Sequence, residues 1–229
     1  MSAFGQIGAF RTLRRLPYDA EVEYLESTGT QWIDTGLKVG SRNDLTLESA
    51  MAVSNVRSAW AFLFGASKGG GHSDTKVLLS NSLTATDRVY AGYRRDSSAF
   101  TLCANNGLDT TLRNMYRLSY GRLKIATEGG AFLSFTLPDP SGMAWDGDVH
   151  VCSDDNRKDV KIYSFRFFEG DALICDLIPV RFTNENGQSE GAMYDRANPT
   201  VGMDPDGSAR TDGLYRNQGT GSFIIGNDL

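Results

Sequence analysis

Three glutamates fall within six residues near the start of the chain, Glu21-Val-Glu23-Tyr-Leu-Glu26. Paired carboxylates flanking a sugar linkage are the machinery of glycoside hydrolysis, one as acid and the other as nucleophile or base. Alternation along a single strand, however, puts Glu21 and Glu23 on one face and Glu26 on the other unless a bulge intervenes. Serine chemistry has less to work with. His72 lies in the loop sequence GGGHSD with no G-x-S-x-G turn, and His150 alternates with Val149 and Val151, which turns it away from a core. The expectation is a chain without a catalytic residue.

Hard cations need several oxygen ligands, which closely spaced Asp and Asn in a turn can supply. Asp204-Pro-Asp206-Gly207, Asp146-Gly-Asp148 and Asp154-Asp155-Asn156 have that composition. Asp204 and Asp206 resemble the middle of a calcium loop, but Gly202 and Gly213 stand where its first and last ligands belong. Asx residues also populate turns by mimicking backbone hydrogen bonds. No cofactor is expected, with calcium at Asp204 and Asp206 as the one candidate. Gly219-Thr220-Gly221 is no phosphate loop, because neither Lys-Ser/Thr nor a helix follows.

Sugar recognition needs an aromatic platform beside polar side chains. Trp145, with Asp146 and Asp148 around it in a Gly-rich stretch, is the first candidate; Tyr93 and Arg94 are the second. Trp32 and Trp60 sit within strand patterns and read as core.

These groups must be held by strands. Leu45, Leu47, Met51 and Val53 alternate with smaller or polar residues, Trp60–Gly65 is a dense apolar run, and Val160–Phe168 is apolar on both faces, leaving Lys161 and Arg166 to snorkel. Loops are expected over 68–75, 96–99, 138–147, 153–159 and 184–213. No stretch after residue 18 has a helical period, and 25 Gly against 6 Pro suit many tight turns. The fold class is all-β, and a sandwich of this length is ordinary as one domain.

Residues 1–18 stand apart. Phe4, Ile7, Phe10 and Leu13 recur at steps of three, with Arg11, Arg14 and Arg15 on other faces, as in a docking arm for a larger assembly. The arginines follow the apolar residues, unlike a signal peptide. No run approaches the ~20 apolar residues of a membrane span. With net charge −5 and no basic stripe along the chain, nucleic acid is not an expected partner. Cys103, Cys152 and Cys175 are too scattered for a zinc site and read as buried, reduced thiols.

One resemblance ties these readings together. EVEYLESTGTQWIDTGL (21–37) resembles the opening signature "YLESTGTQYIDTG" of laminin-G-like, concanavalin A-like jelly-roll domains. KIYSFRFF (161–168), DLIPV (176–180), MYD (193–195) and YRNQGTGSFIIG (215–226) are similar to that family's closing run. The resemblance brackets roughly residues 20–226 and implies a jelly-roll β-sandwich of two antiparallel sheets, spanning 19–229 after the arm. The 196–213 link is longer and more polar than the family pattern. A glycanase branch of this fold carries E-x-D-x-x-E on a mid-chain strand, whereas the glutamates here belong to the opening strand.

Such domains are frequent in gut bacteria and in tail or capsid-surface proteins of their phages. The resemblance therefore implies a non-enzymatic virion protein, capsid decoration or tail, assembled in the bacterial cytoplasm and displayed for attachment. Its expected partners are other virion proteins through the arm, further copies of itself, and cell-surface or mucus glycans. An extracellular carbohydrate-binding module or adhesin is the alternative.

Overall fold

A computed structural model describes residues 16–39, 44–54, 61–67, 75–81, 88–92, 100–104, 108–137, 148–152 and 159–229. Among them every regular element is a strand. In chain order these are β1 (Ala20–Glu21), β2 (Leu25–Ser27), β3 (Ile33–Lys38), β4 (Leu45–Val53), β5 (Ala61–Ser67), β6 (Thr75–Asn81) and β7 (Arg88–Gly92). Then come β8 (Phe100–Ala104), β9 (Asn114–Ser119), β10 (Arg122–Thr127), β11 (Leu133–Thr136), β12 (Asp148–Val151), β13 (Val160–Glu169) and β14 (Ala172–Thr183). The last are β15 (Ser189–Asp195), β16 (Gly202–Met203), β17 (Ala209–Arg210), β18 (Leu214–Tyr215) and β19 (Ile224–Ile225).

They form two sheets. The larger runs β11-β10-β9-β4-β13-β14-β15-β18-β16-β17, with β1 on β14 and β2 between β13 and β19. The smaller runs β3-β12-β5-β6-β7-β8. Period-two patterning decides which residues lie between them. On β13, Val160, Ile162, Phe165 and Phe167 are buried; a register shift between Ile162 and Ser164 re-phases the alternation midway. Phe64 of the small sheet meets Phe165 and Tyr116 of the large one edge-on, at 5.8 and 6.5 Å between centroids. Burying each such side chain contributes about 1.5–3 kcal/mol. The cysteines are buried thiols, as expected.

The two-faced apolarity of Val160–Phe168 resolves into one buried face, and its cations find partners. Lys161 lies 4.2 Å from the Tyr24 ring centroid, and Arg166 bonds Asp176 at 2.9 Å.

The opening segment is not one continuous strand. It breaks at Glu23 and Tyr24, and β1 pairs with β14 whereas β2 pairs with β13 and β19. Glu21 accepts from Tyr18, and Glu26 accepts a short hydrogen bond from Ser54. The three carboxylates are thus split: Glu21 is on β1, Glu26 on β2, and Glu23 in the bend between them.

The region expected as one loop over 184–213 contains β15, a full ladder partner of β14 from Leu177↔Asp195 to Thr183↔Ser189. Gly191 on β15 is held by packing: a Cβ there would lie 2.6 Å from Leu25 Cδ2 and 3.4 Å from Phe223 Cβ. Residues 202–203 and 209–210 then form a small hairpin.

This hairpin borders a second apolar cluster on the opposite face of the large sheet from the main core. Ile178, Val180, Phe182, Ala192, Tyr194 and Leu214 compose it. Tyr18 packs on it, 4.9 Å from the Tyr194 ring, so the residue at the arm's root belongs to the body.

Candidate functional site

The outer face of the small sheet collects an aromatic ring, an imidazole and two carboxylates. Along β12, Val149 and Val151 are buried while Asp148 and His150 are half-buried on the other side. Along β3, Ile33 and Thr35 point inward and Asp34 outward. Antiparallel register sets Asp34 opposite His150 and Lys38 opposite Asp148, where the ammonium and carboxylate are 4.0 Å apart. On the other flank His150 faces Gly65, so β5 offers only backbone beside the imidazole. Trp32, immediately before β3, completes the group. Its ring centroid lies 4.5 Å from that of His150, with the planes tilted by 50°.

Trp32 is fixed from the far end of the chain. Its N–H donates to Asn217 Oδ1 at 3.1 Å, and its carbonyl accepts from the Gln218 N–H at 2.9 Å. Asp34 is held by its own turn, accepting the Gly36 N–H at 2.8 Å. Gly36 has φ +63°, and Met203 Cε lies where its Cβ would stand. A half-buried tryptophan beside pre-placed acceptors on a rigid sheet suits a polyhydroxylated ligand. Its C–H face can pack on the indole while its hydroxyls donate to the carboxylates.

Of the sugar-binding residues expected from sequence, Asp148 lies in this group. Trp145, Asp146, Tyr93 and Arg94 lie outside the described residues, but the strands that lead to them are placed. β12, β5, β6 and β7 alternate in direction, so β12 begins and β7 ends at the same end of the small sheet. The two points are three strand spacings apart, roughly 14 Å. Lys38, closing β3, lies at that end too. Phe4, Ile7, Phe10, Arg11, Leu13, Arg14 and Arg15 lie outside the described residues.

Trp32, Asp34 and His150 do not stand out as one site along the sequence. The available signal was W-I-D followed far along by V-H-V, two stretches whose polar members share a parity. Trp32 read as core is half right: its ring rests against the main cluster yet stays half-buried.

Asp204 and Asp206 are occupied by protein. Asp204 receives Arg210 at 3.0 Å and Arg216 at 3.4 Å, and Asp212 pairs with the same two arginines at 3.0 Å each. The result is a closed ring of two carboxylates and two guanidiniums, with Arg216 also 4.9 Å from the centre of Phe182. Burial pushes the Asp212 carboxyl up, but the Arg216 hydrogen bond, the Leu214 amide and the two guanidinium charges hold it below its ordinary value. Asp206 accepts from Ser208 N–H and Oγ, at 2.9 and 2.6 Å. Among the described residues no group of three or more His, Cys, Asp or Glu side chains is arranged to hold a metal.

No family model matches the sequence, and no curated protein does. Solved structures do match. A heptameric SAP-like pentraxin from Limulus polyphemus is 7% identical, with 92% of this chain and 98% of that one covered at a TM-score of 0.51. A galectin from Xenopus laevis is 8% identical over 60% of this chain and 98% of its own, at a TM-score of 0.38. At 7% identity the pentraxin likeness speaks for fold alone, in accord with the two sheets: the chain is an all-β, concanavalin A-like jelly-roll sandwich.

Proposed function

We propose that this chain is a non-enzymatic attachment domain that binds glycans on the outer face of β3 and β12, displayed on the surface of a phage or prophage particle. The observation that carries the binding reading is the Trp32–His150 pair with Asp34 and Asp148 beside it. The particle setting is supported by the resemblance of residues 21–37 and 215–226 to the jelly-roll signatures, with residues 1–18 as the docking arm.

A glycan array probed with the purified chain tests the binding. Trp32→Ala is expected to weaken every hit by about 10–100-fold, the loss of 1.4–2.8 kcal/mol. Hits that survive this change move the site elsewhere, and an empty array removes the reading. Release of shorter sugars from a hit glycan would make the chain an enzyme. Deleting residues 1–18 should abolish incorporation into particles; unchanged incorporation refutes the docking arm.

A further inference from the structure

The outer face of the large sheet carries a different chemistry. One rung reads Lys124↔Arg117↔Glu48↔Arg166↔Asp176 across β10, β9, β4, β13 and β14. Asp176 also receives Arg196 at 2.8 Å. Arg122 lies two residues before Lys124 on the same face, opposite Ser119 on one side and Thr136 on the other. This surface thus sets the cations Arg117, Arg122, Lys124, Arg166 and Arg196 against the carboxylates Glu48 and Asp176, within a chain of net charge −5.

The excess is not evenly spread. Asp176 is shared by Arg166 and Arg196, at 2.9 and 2.8 Å, and Glu48 answers Arg117 at 3.3 Å. The cations with no carboxylate across the ladder are Arg122 and Lys124 on β10, and Lys124 stands directly opposite Arg117, whose charge Glu48 already shares. Lys124's other neighbour is Ser134, which brings no negative charge. Hydroxyls flank this basic end: Ser119 opposes both Arg122 and Thr46, and Thr136 opposes Arg122.

We propose that this strip is a second binding surface, for an acidic polysaccharide whose carboxylates or sulfates lie along β9 and β10. An anion bridging Arg117 and Lys124 relieves their repulsion, and the neighbouring hydroxyls suit the sugar's own hydroxyl groups. Strands ~4.8 Å apart present the charges as a regular row instead of one deep pocket, which fits a linear polymer. The surface does not depend on the Trp32 site, which lies on the other sheet.

Polygalacturonate and chondroitin sulfate, as carboxylate and sulfate probes, test this with uncharged dextran and duplex DNA as comparisons. Binding of at least one acidic polysaccharide is expected, weakening steadily as salt rises. Arg117→Gln combined with Lys124→Gln should reduce it at least 10-fold and change the melting temperature little, since a like-charge pairing and the part-exposed Arg117–Glu48 ion pair are lost together. Arg88→Gln, at an exposed cation that opens β7 on the small sheet away from β3 and β12, should leave it unchanged. Absence of salt-dependent binding, equal binding to duplex DNA, or full binding by the double variant overturns the proposal. Preference between the two acidic probes identifies which anionic group is recognised.

Discussion

The Gln31 side chain donates from Nε2 to the Thr220 carbonyl at 3.0 Å, joining the two signature segments across nearly the whole chain. Its Oε1 meanwhile accepts the Thr28 N–H at 2.8 Å. One buried amide therefore closes the turn after β2 and clamps the Gly219–Gly221 turn against it. The segment carrying Asn217 and Gln218 holds Trp32 in place, so this junction also sets the candidate site.

Gly219→Ala tests the junction. A Cβ at Gly219 would lie 1.6 Å from the Thr30 carbonyl oxygen, so the turn must move. We expect a loss of about 1–3 kcal/mol or more in chemical denaturation, with weaker glycan binding through displaced Trp32. Gly207→Ala supplies the contrast. Its φ is +79°, unlike that of Gly219, and an added Cβ meets nothing within 4 Å, so its cost should be about 1 kcal/mol. A cost at Gly219 no larger than that at Gly207 would show that the turn yields to the added Cβ and that the close approach does not fix it.

Tyr116 should prefer to be phenylalanine. Its ring is fully buried between the sheets, and its hydroxyl has no hydrogen-bond partner among the described residues. Burial alone pushes its ionisation far above the ordinary tyrosine range. Tyr116→Phe is expected to leave stability unchanged or raise it by about 1 kcal/mol, because an unsatisfied polar group is removed. A clear loss in the same denaturation assay would mean that the hydroxyl has a partner such as a buried water.

Alkali should weaken the fold through its thiols. Burial raises Cys103 to about 12 and also raises Cys152 and Cys175. For Cys175, the nearby Asp195 and Asp176 charges add to the effect. The unfolded chain loses these protons near 8.5, so the contribution is whole below that value and declines as pH rises toward the folded values. Urea midpoints should therefore fall between about pH 8.5 and 11. A thiol-specific reagent should find no fast-reacting cysteine in the native chain at neutral pH and three after unfolding. Rapid labelling of the native chain would contradict the burial.

Arg216→Ala should open the ring that closes the 202–216 region. Arg216's side chain is 14% exposed and spans Asp204 and Asp212, so removal leaves both carboxylates to share Arg210 alone and uncovers Phe182. A loss of about 1–3 kcal/mol is expected, below that of a fully buried pair because the carboxylates are partly solvated. Since Asp212 is held below its ordinary value, its contribution is present above about pH 4 and lost as pH falls through the folded value. The variant should show a smaller acid-induced drop; an unchanged acid profile would remove the ring from the account.

The alternation of Leu45, Leu47, Met51 and Val53, the apolar β13 and the matched signatures at residues 21–37 and 215–226 made the all-β sandwich legible from sequence alone. Side-chain parity along a strand follows from its pleat and needs no partner. Parity cannot say which strands become neighbours or how far an outward face is covered. Trp32 and His150 acquired a shared face only when β3 paired with β12. Arg117 and Lys124 became an opposed pair only through the β9–β10 register, which assembles a basic strip invisible along the chain. Asp204, a cation-ligand candidate by its spacing, gains Arg210 and Arg216 as ion-pair partners only through folding. The sequence thus determined the strands and their buried faces; long-range pairing decided which outward residues meet, because register between distant strands is a property of the whole fold.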